Sequence, residues 1–158
     1  MTLAVRFEVN GREVALEVED DELLCTSLRE RLDLTGTRVG CHEGVCGSCD
    51  VFVEDAVVRS CLMLTAQLEG RHVVTVEGLG ATDELSPLQQ AFVDHGAVQC
   101  GFCTSGLLVS ATDLLARNPS PSEAEIVRAL GGNLCRCTGY TKVIEAVRAA
   151  SVEGPSHG

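Results

Sequence analysis

Nine cysteines stand in this 158-residue chain, and all but one fall into two sets of four. Cys41, Cys46 and Cys49 form a C-x4-C-x2-C run, with Cys61 further along. Cys100 and Cys103 form a C-x2-C doublet inside "QCGFCTSG", and Cys135 and Cys137 form a C-x-C doublet inside "GNLCRCTGY". Thiolates at such spacings can cycle as a dithiol, hold zinc, or hold an iron–sulfur centre. The doublet at Cys100 is compatible with all three. The choice depends on its surroundings.

The first set has the spacing of a plant-type [2Fe–2S] site. Three ligands converging from so short a run require tight turns, which Gly40, Gly44 and Gly47 supply as positions able to adopt positive φ. A loop without side chains also lets backbone N–H groups face the sulfurs. Structural zinc usually pairs two compact doublets, which this run lacks. The second set, taken alone, also suits a four-cysteine zinc site. A thioredoxin-like dithiol normally follows a strand, and "FVDHGAV" does not read as one. The first set makes a second iron–sulfur cluster the favoured reading.

The remaining polar and thiol groups carry little chemistry. Cys25 lies beside Leu24 and Leu28 and reads as a buried apolar residue. His42, His72, His95 and His157 read as solvated or structural; His42 directly follows Cys41, a spacing unsuited to a Rieske centre. Glu43, Asp50 and Asp55 read as solvent-exposed loop carboxylates, with no acid–base pairing among them. There is no nucleophile elbow, P-loop or dinucleotide fingerprint, so no bond-making site is read in this chain.

Composition sets the wider bounds. Formal net charge is −11 and hydrophobic residues make up 45%. Such acidity argues against nucleic acid and against anionic membrane surfaces as partners. No stretch reaches the ~20 apolar residues of a membrane span, and no basic, apolar leader opens the sequence. Cysteine richness without a leader points to a reducing compartment and a cytoplasmic location.

The elements that position the cysteines are legible in part. Leu3, Val5, Phe7 and Val9 alternate with Ala4, Arg6 and Glu8, then Asn10-Gly11 separates them from Val14, Leu16 and Val18: a hairpin. Asp21 is placed to cap a helix over 22–32. Short strands are expected at 51–53 and 57–58, and another within 71–78. From about residue 84 the pattern turns helical. Ser86-Pro87 starts one helix and Gly96 stops it. Helices follow over 104–117, from the Ser122/Glu125 capping box to Gly131-Gly132, and over 141–150. The expected division is a small α+β domain over 1–76, a linker over 77–85, a helical bundle over 86–150 and a disordered tail over 151–158.

Taken together, "GCHEGVCGSC" with Cys61, "QCGFCTSG" and "GNLCRCTGY" closely resemble the small iron–sulfur subunit of the molybdenum hydroxylases. That family includes the xanthine dehydrogenases, aldehyde oxidoreductases and aerobic carbon monoxide dehydrogenases, and the resemblance covers residues 3–150. It implies an α+β fold class: an N-terminal β-grasp, plant-type ferredoxin-like domain, then an all-α four-helix bundle, each with one [2Fe–2S] cluster. Cys41, Cys46, Cys49 and Cys61 would hold the first cluster. Cys100, Cys103, Cys135 and Cys137 would hold the second, nearest a molybdopterin cofactor in a large partner subunit. Gln99 and Cys137 match the residues that contact that cofactor. A medium subunit carrying FAD would face the first cluster, in a dimer of heterotrimers. The rival readings are a free-standing two-cluster ferredoxin and a zinc-stabilised interaction module. Two positions depart from the family pattern. Ser105 stands where many relatives have proline, and serine can serve at a helix terminus. Asp55-Ala56 stands where a hairpin Asp-Gly is common.

Overall fold

The computed structural model describes residues 1–81 and 83–153. Of the tail expected over 151–158, residues 151–153 instead continue the last helix, and 154–158 lie outside the described residues. The chain forms a mixed α/β structure with one five-stranded sheet, in the order β2-β1-β5-β3-β4. β1 (Thr2–Val9) and β2 (Arg12–Glu19) pair antiparallel, with Val9 opposite Arg12. Asn10 and Gly11 both take positive φ, 49° and 76°, as a tight two-residue hairpin turn requires. Val5, Phe7 and Val9 are buried, as their alternation predicts, and meet Val18, Val51, Val53 and Val73 in one apolar core.

β3 (Asp50–Val53) and β4 (Ala56–Arg59) form the second hairpin. Its positive φ falls on Glu54, 53°, while Ala56 is the first residue of the returning strand. Alanine in place of glycine at residue 56 therefore meets no left-handed backbone requirement. β5 (His72–Val74) runs parallel to β1 and antiparallel to β3. It is shorter than the strand expected within 71–78, because its partner ends. β1 turns away after Val9, and Asn10 captures Thr75 with two side-chain hydrogen bonds of 2.9 Å.

The first helix also differs from expectation. α1 (Leu24–Thr26) continues as a π-helical turn over Ser27–Arg31, and Asp21 does not cap it. The backbone stays extended through Leu23, which bridges to Leu64, and Leu24 N–H donates to Met63 O at 2.7 Å. Leu24 and Leu28 point into the sheet core as their spacing predicts.

The helical half follows its caps closely. α2 (Pro87–Asp94) opens on the Ser86 N-cap, with Gln89 completing a capping box and Pro87 in the first turn. α3 (Thr104–Arg117) ends at Asn118, and α4 (Glu123–Leu130) opens on the Ser122/Glu125 box and ends at Gly131. α5 (Thr141–Glu153) runs past the expected end at Ala150. Leu88, Phe92, Leu107, Ile126, Leu130, Val143 and Val147 form a second apolar core. α3 also packs against β3 and β4, bringing the start of the helical half onto the sheet. Among the described residues no helix is long and apolar enough to cross a membrane.

Candidate metal centres

The first cysteine set sits on the loop between α1 and β3 and on the 3-10 turn Ser60–Leu62. Positive φ at His42 (56°), Gly44 (72°) and Gly47 (74°) folds the loop back on itself. As a result Glu43, Val45 and Cys46 all aim backbone N–H groups at Cys41 Sγ, at 3.4, 3.3 and 3.4 Å. Those dipoles, the Cys46 N–H first, bring the Cys41 thiol down to about 6. Gly40 serves another purpose than the expected turn: a Cβ there would stand 3.2 Å from the Phe102 ring and 3.3 Å from Cys46 Sγ.

Cys49 and Cys61 are buried, and Ser60 holds them together by donating its hydroxyl to Cys49 O at 2.7 Å. Burial pushes the Cys49 thiol up to about 11. Cys25 packs beside these two and is 1% exposed, in keeping with its expected apolar role.

In the second set, Cys100 and Cys103 precede α3, and Cys135 and Cys137 lie between α4 and α5. Cys103 is buried, and burial above all pushes its thiol up to about 12. Cys100 and Cys137 are exposed, as is Gln99. Tyr140 braces the second loop. Its hydroxyl accepts the Cys135 N–H and donates to Asn133 O, both at 2.8 Å.

Within each set the thiols act on one another's charge: Cys46 on Cys41 and Cys61 on Cys49 in the first, Cys135 and Cys100 on Cys103 and Cys100 and Cys135 on Cys137 in the second. Among the described residues no three His, Cys, Asp or Glu side chains gather as they would round a single metal ion. Four thiolates shared between two irons are the donor set of a [2Fe–2S] centre, and a set of four cysteines on neighbouring loops fits that group.

Residues that sequence reasoning passed over join the two sites. Asp50 is 1% exposed, not the solvated loop carboxylate expected; Glu43 and Asp55 are exposed. Asp50 is held by Arg59, by Ser110 Oγ at 3.1 Å and by Asn133 Nδ2 at 2.9 Å. The signal for this was available. A two-residue turn at Glu54-Asp55 sets Asp50 opposite Arg59, an opposite-charge cross-strand pair. Ser105, in turn, does not cap α3. It is buried, and its hydroxyl donates across the joint to Ser48 O at 3.3 Å. Gly106 meets Gly47 so closely that a Cβ would lie 2.1 Å from the Gly47 carbonyl oxygen.

A mixed α/β chain with two four-cysteine sites, joined through their loops, has the make-up of a two-centre iron–sulfur protein. Comparison with known proteins agrees. Residues 7–78 match a family described as a 2Fe-2S iron-sulfur cluster binding domain, and residues 75–148 match a [2Fe-2S] binding domain. The chain is 54% identical to the nicotine 6-hydroxylase small subunit of Paenarthrobacter nicotinovorans, over 89% of this chain and 84% of that one. It is 42% identical to the nicotinate dehydrogenase small FeS subunit of Eubacterium barkeri, over 94% of both. The crystal structure of quinoline 2-oxidoreductase from Pseudomonas putida 86 superposes with a TM-score of 0.93 at 44% identity. The match covers 96% of this chain and 94% of that one. This chain belongs to the family of small [2Fe–2S] iron–sulfur subunits of the molybdenum hydroxylases.

Proposed function

We propose that this chain is the electron-transfer subunit of a molybdenum-containing hydroxylase, relaying electrons from a molybdopterin cofactor in a large subunit through two [2Fe–2S] clusters toward FAD in a medium subunit. Cys41, Cys46, Cys49 and Cys61 hold the first cluster, on a β-grasp domain; Cys100, Cys103, Cys135 and Cys137 hold the second, on a four-helix bundle. Residues 77–85 link the two domains. Each cluster, when bound, supplies a one-electron centre.

The chain's own residues do three things for those centres. The four thiols of each set supply the ligands of two irons. The N–H groups of Glu43, Val45 and Cys46 offset negative charge on the Cys41 sulfur, and burial of Cys49, Cys61 and Cys103 keeps water from part of each site. Exposed Cys100 and Cys137, with Gln99 beside them, turn one side of the second site outward. That side faces the large subunit, where Gln99 and Cys137 contact the molybdopterin. The complex is a dimer of heterotrimers in the cytoplasm.

The observation that carries this reading is the joining of two four-cysteine sites through one set of hydrogen-bonded loops. A relay between cofactors in different neighbours needs two fixed centres in one body. Relatives of this length are subunits of enzymes named for nicotine and nicotinate, which makes a nitrogen heterocycle the substrate to try first on the complex. The test is purification of the chain under native conditions. It is expected to bring down a large molybdenum-containing subunit, and the brown colour of the complex is expected to bleach on adding substrate without air. A monomer with both clusters and no such partner would contradict the relay and leave a free carrier. A colourless protein holding zinc would contradict both.

A further inference from the structure

The Asp50 side chain is fully buried, and three side chains donate hydrogen bonds to it. An Arg59 terminal nitrogen donates to Oδ1, while Ser110 Oγ and Asn133 Nδ2 donate to Oδ2 at 3.1 and 2.9 Å. A carboxylate is the acceptor-only side chain of this size. Asparagine would turn one of its two acceptors into a donor facing donors. Burial of the charge is offset because a guanidinium and two further hydrogen bonds meet it.

Each partner of Asp50 also holds a cysteine loop or the helix behind one. Arg59 Nε donates to Gly44 O at 3.1 Å in the first loop, and its other terminal nitrogen donates to Gly132 O at 2.7 Å on the approach to the second. Asn133 Nδ2 also reaches Gly47 O at 3.1 Å. Ser110 lies on α3, the helix that opens directly after Cys103. Asp50 itself follows Cys49, and Asn133 stands two residues before Cys135. One carboxylate is therefore the common acceptor for groups that pin both loops.

We propose that Asp50 is a positioning residue for electron transfer between the two centres. Through Arg59 and Asn133 it fixes the first cysteine loop against the second, and so sets the separation and mutual orientation of what the loops hold. The inference rests on the cluster assignment made above. It adds that a residue touching neither centre governs the coupling between them, because magnetic and electronic coupling both fall steeply with distance.

The experiment compares the full chain, purified with its clusters, as wild type, Asp50→Asn and Ser110→Ala. Iron is counted, and EPR spectra of the fully reduced protein are recorded over a range of temperature. The wild type is expected to show two signals that split at low temperature through the interaction of the two reduced centres. Asp50→Asn is expected to keep both signals and about four iron per chain, with the splitting reduced at least twofold. Ser110→Ala, which removes one of three donors, is expected to give a smaller reduction in the same direction. Unchanged splitting in Asp50→Asn with both signals present would overturn the proposal. If Asp50→Asn does not fold, Ser110→Ala decides, and wild-type splitting there overturns it. A wild type without two signals would overturn the cluster assignment itself, and the inference with it.

Discussion

The backbone N–H of Leu134 donates to the carbonyl oxygen of Cys46 at 2.8 Å. Leu134 directly precedes Cys135, so one hydrogen bond links a residue of the first cysteine set to the neighbour of a residue of the second. Around it lie the Ser105–Ser48 bond, the Asn133–Gly47 bond and the contact of Gly106 with Gly47. The two sites are thus tied by backbone groups of the loops themselves, and side chains such as Asp50 and Arg59 fix how those backbones meet.

Gly106→Ala tests the closeness of that joint. The added Cβ would lie 2.1 Å from a backbone oxygen, which cannot swing aside as a side chain can. Overpacking of this kind costs about 1–3 kcal/mol, and the expected result is a lower urea midpoint by a matching amount. A wild-type midpoint would mean that the two halves separate without cost.

Ser105→Ala is expected to do little. Ser48 O also accepts the Arg38 N–H at 3.3 Å, so losing the Ser105 hydroxyl does not leave that carbonyl bare. The loss is expected to be about 0.5–1 kcal/mol by the same denaturation measurement. Ser105→Pro is expected to be no worse, because the first turn of a helix leaves its N–H groups without intrahelical partners. A much larger loss in the proline variant would show that Ser105 is required for more than this bond.

Thiol chemistry in the metal-free chain follows the electrostatics of the loops. With its thiol brought down to about 6, Cys41 is mainly thiolate above that pH and returns to the thiol as pH falls through it. Cys103, pushed up to about 12, remains a thiol throughout the neutral range. Iodoacetamide labelling followed by mass spectrometry is expected to find Cys41 modified well before Cys103 at pH 7. The Cys41 rate is expected to drop about tenfold between pH 7 and pH 5. Equal rates for the two, or a Cys41 rate still climbing steeply above pH 8, would contradict the N–H arrangement.

Much of the fold was legible because local signals were strong. Asn10-Gly11 marked its hairpin, and Ser86-Pro87 and Ser122/Glu125 marked helix starts within a residue. Where long-range pairing decides, local signals failed. Asp21 looks like a cap, but the Leu23–Leu64 bridge keeps the backbone extended past it. β5 is cut short by the end of β1, which no reading of 71–78 alone could reveal. The cysteine spacing pointed to two sites, while the joint between them was passed over. Ser105, Gly106 and Asn133 act through residues far away in sequence, and no periodicity records such contacts. Asp50 is the exception, since hairpin register alone sets it against Arg59.

On the proposed reading this chain carries two separate iron–sulfur centres, one on each cysteine set. The most direct measurement is the EPR spectrum of the reduced protein, wild type against Cys103→Ala. Two distinct [2Fe–2S] signals are expected in the wild type, and in the variant loss of one signal with the plant-type signal of the first set intact. Loss of both signals together in a folded Cys103→Ala protein, or a wild type with a single signal, would contradict it.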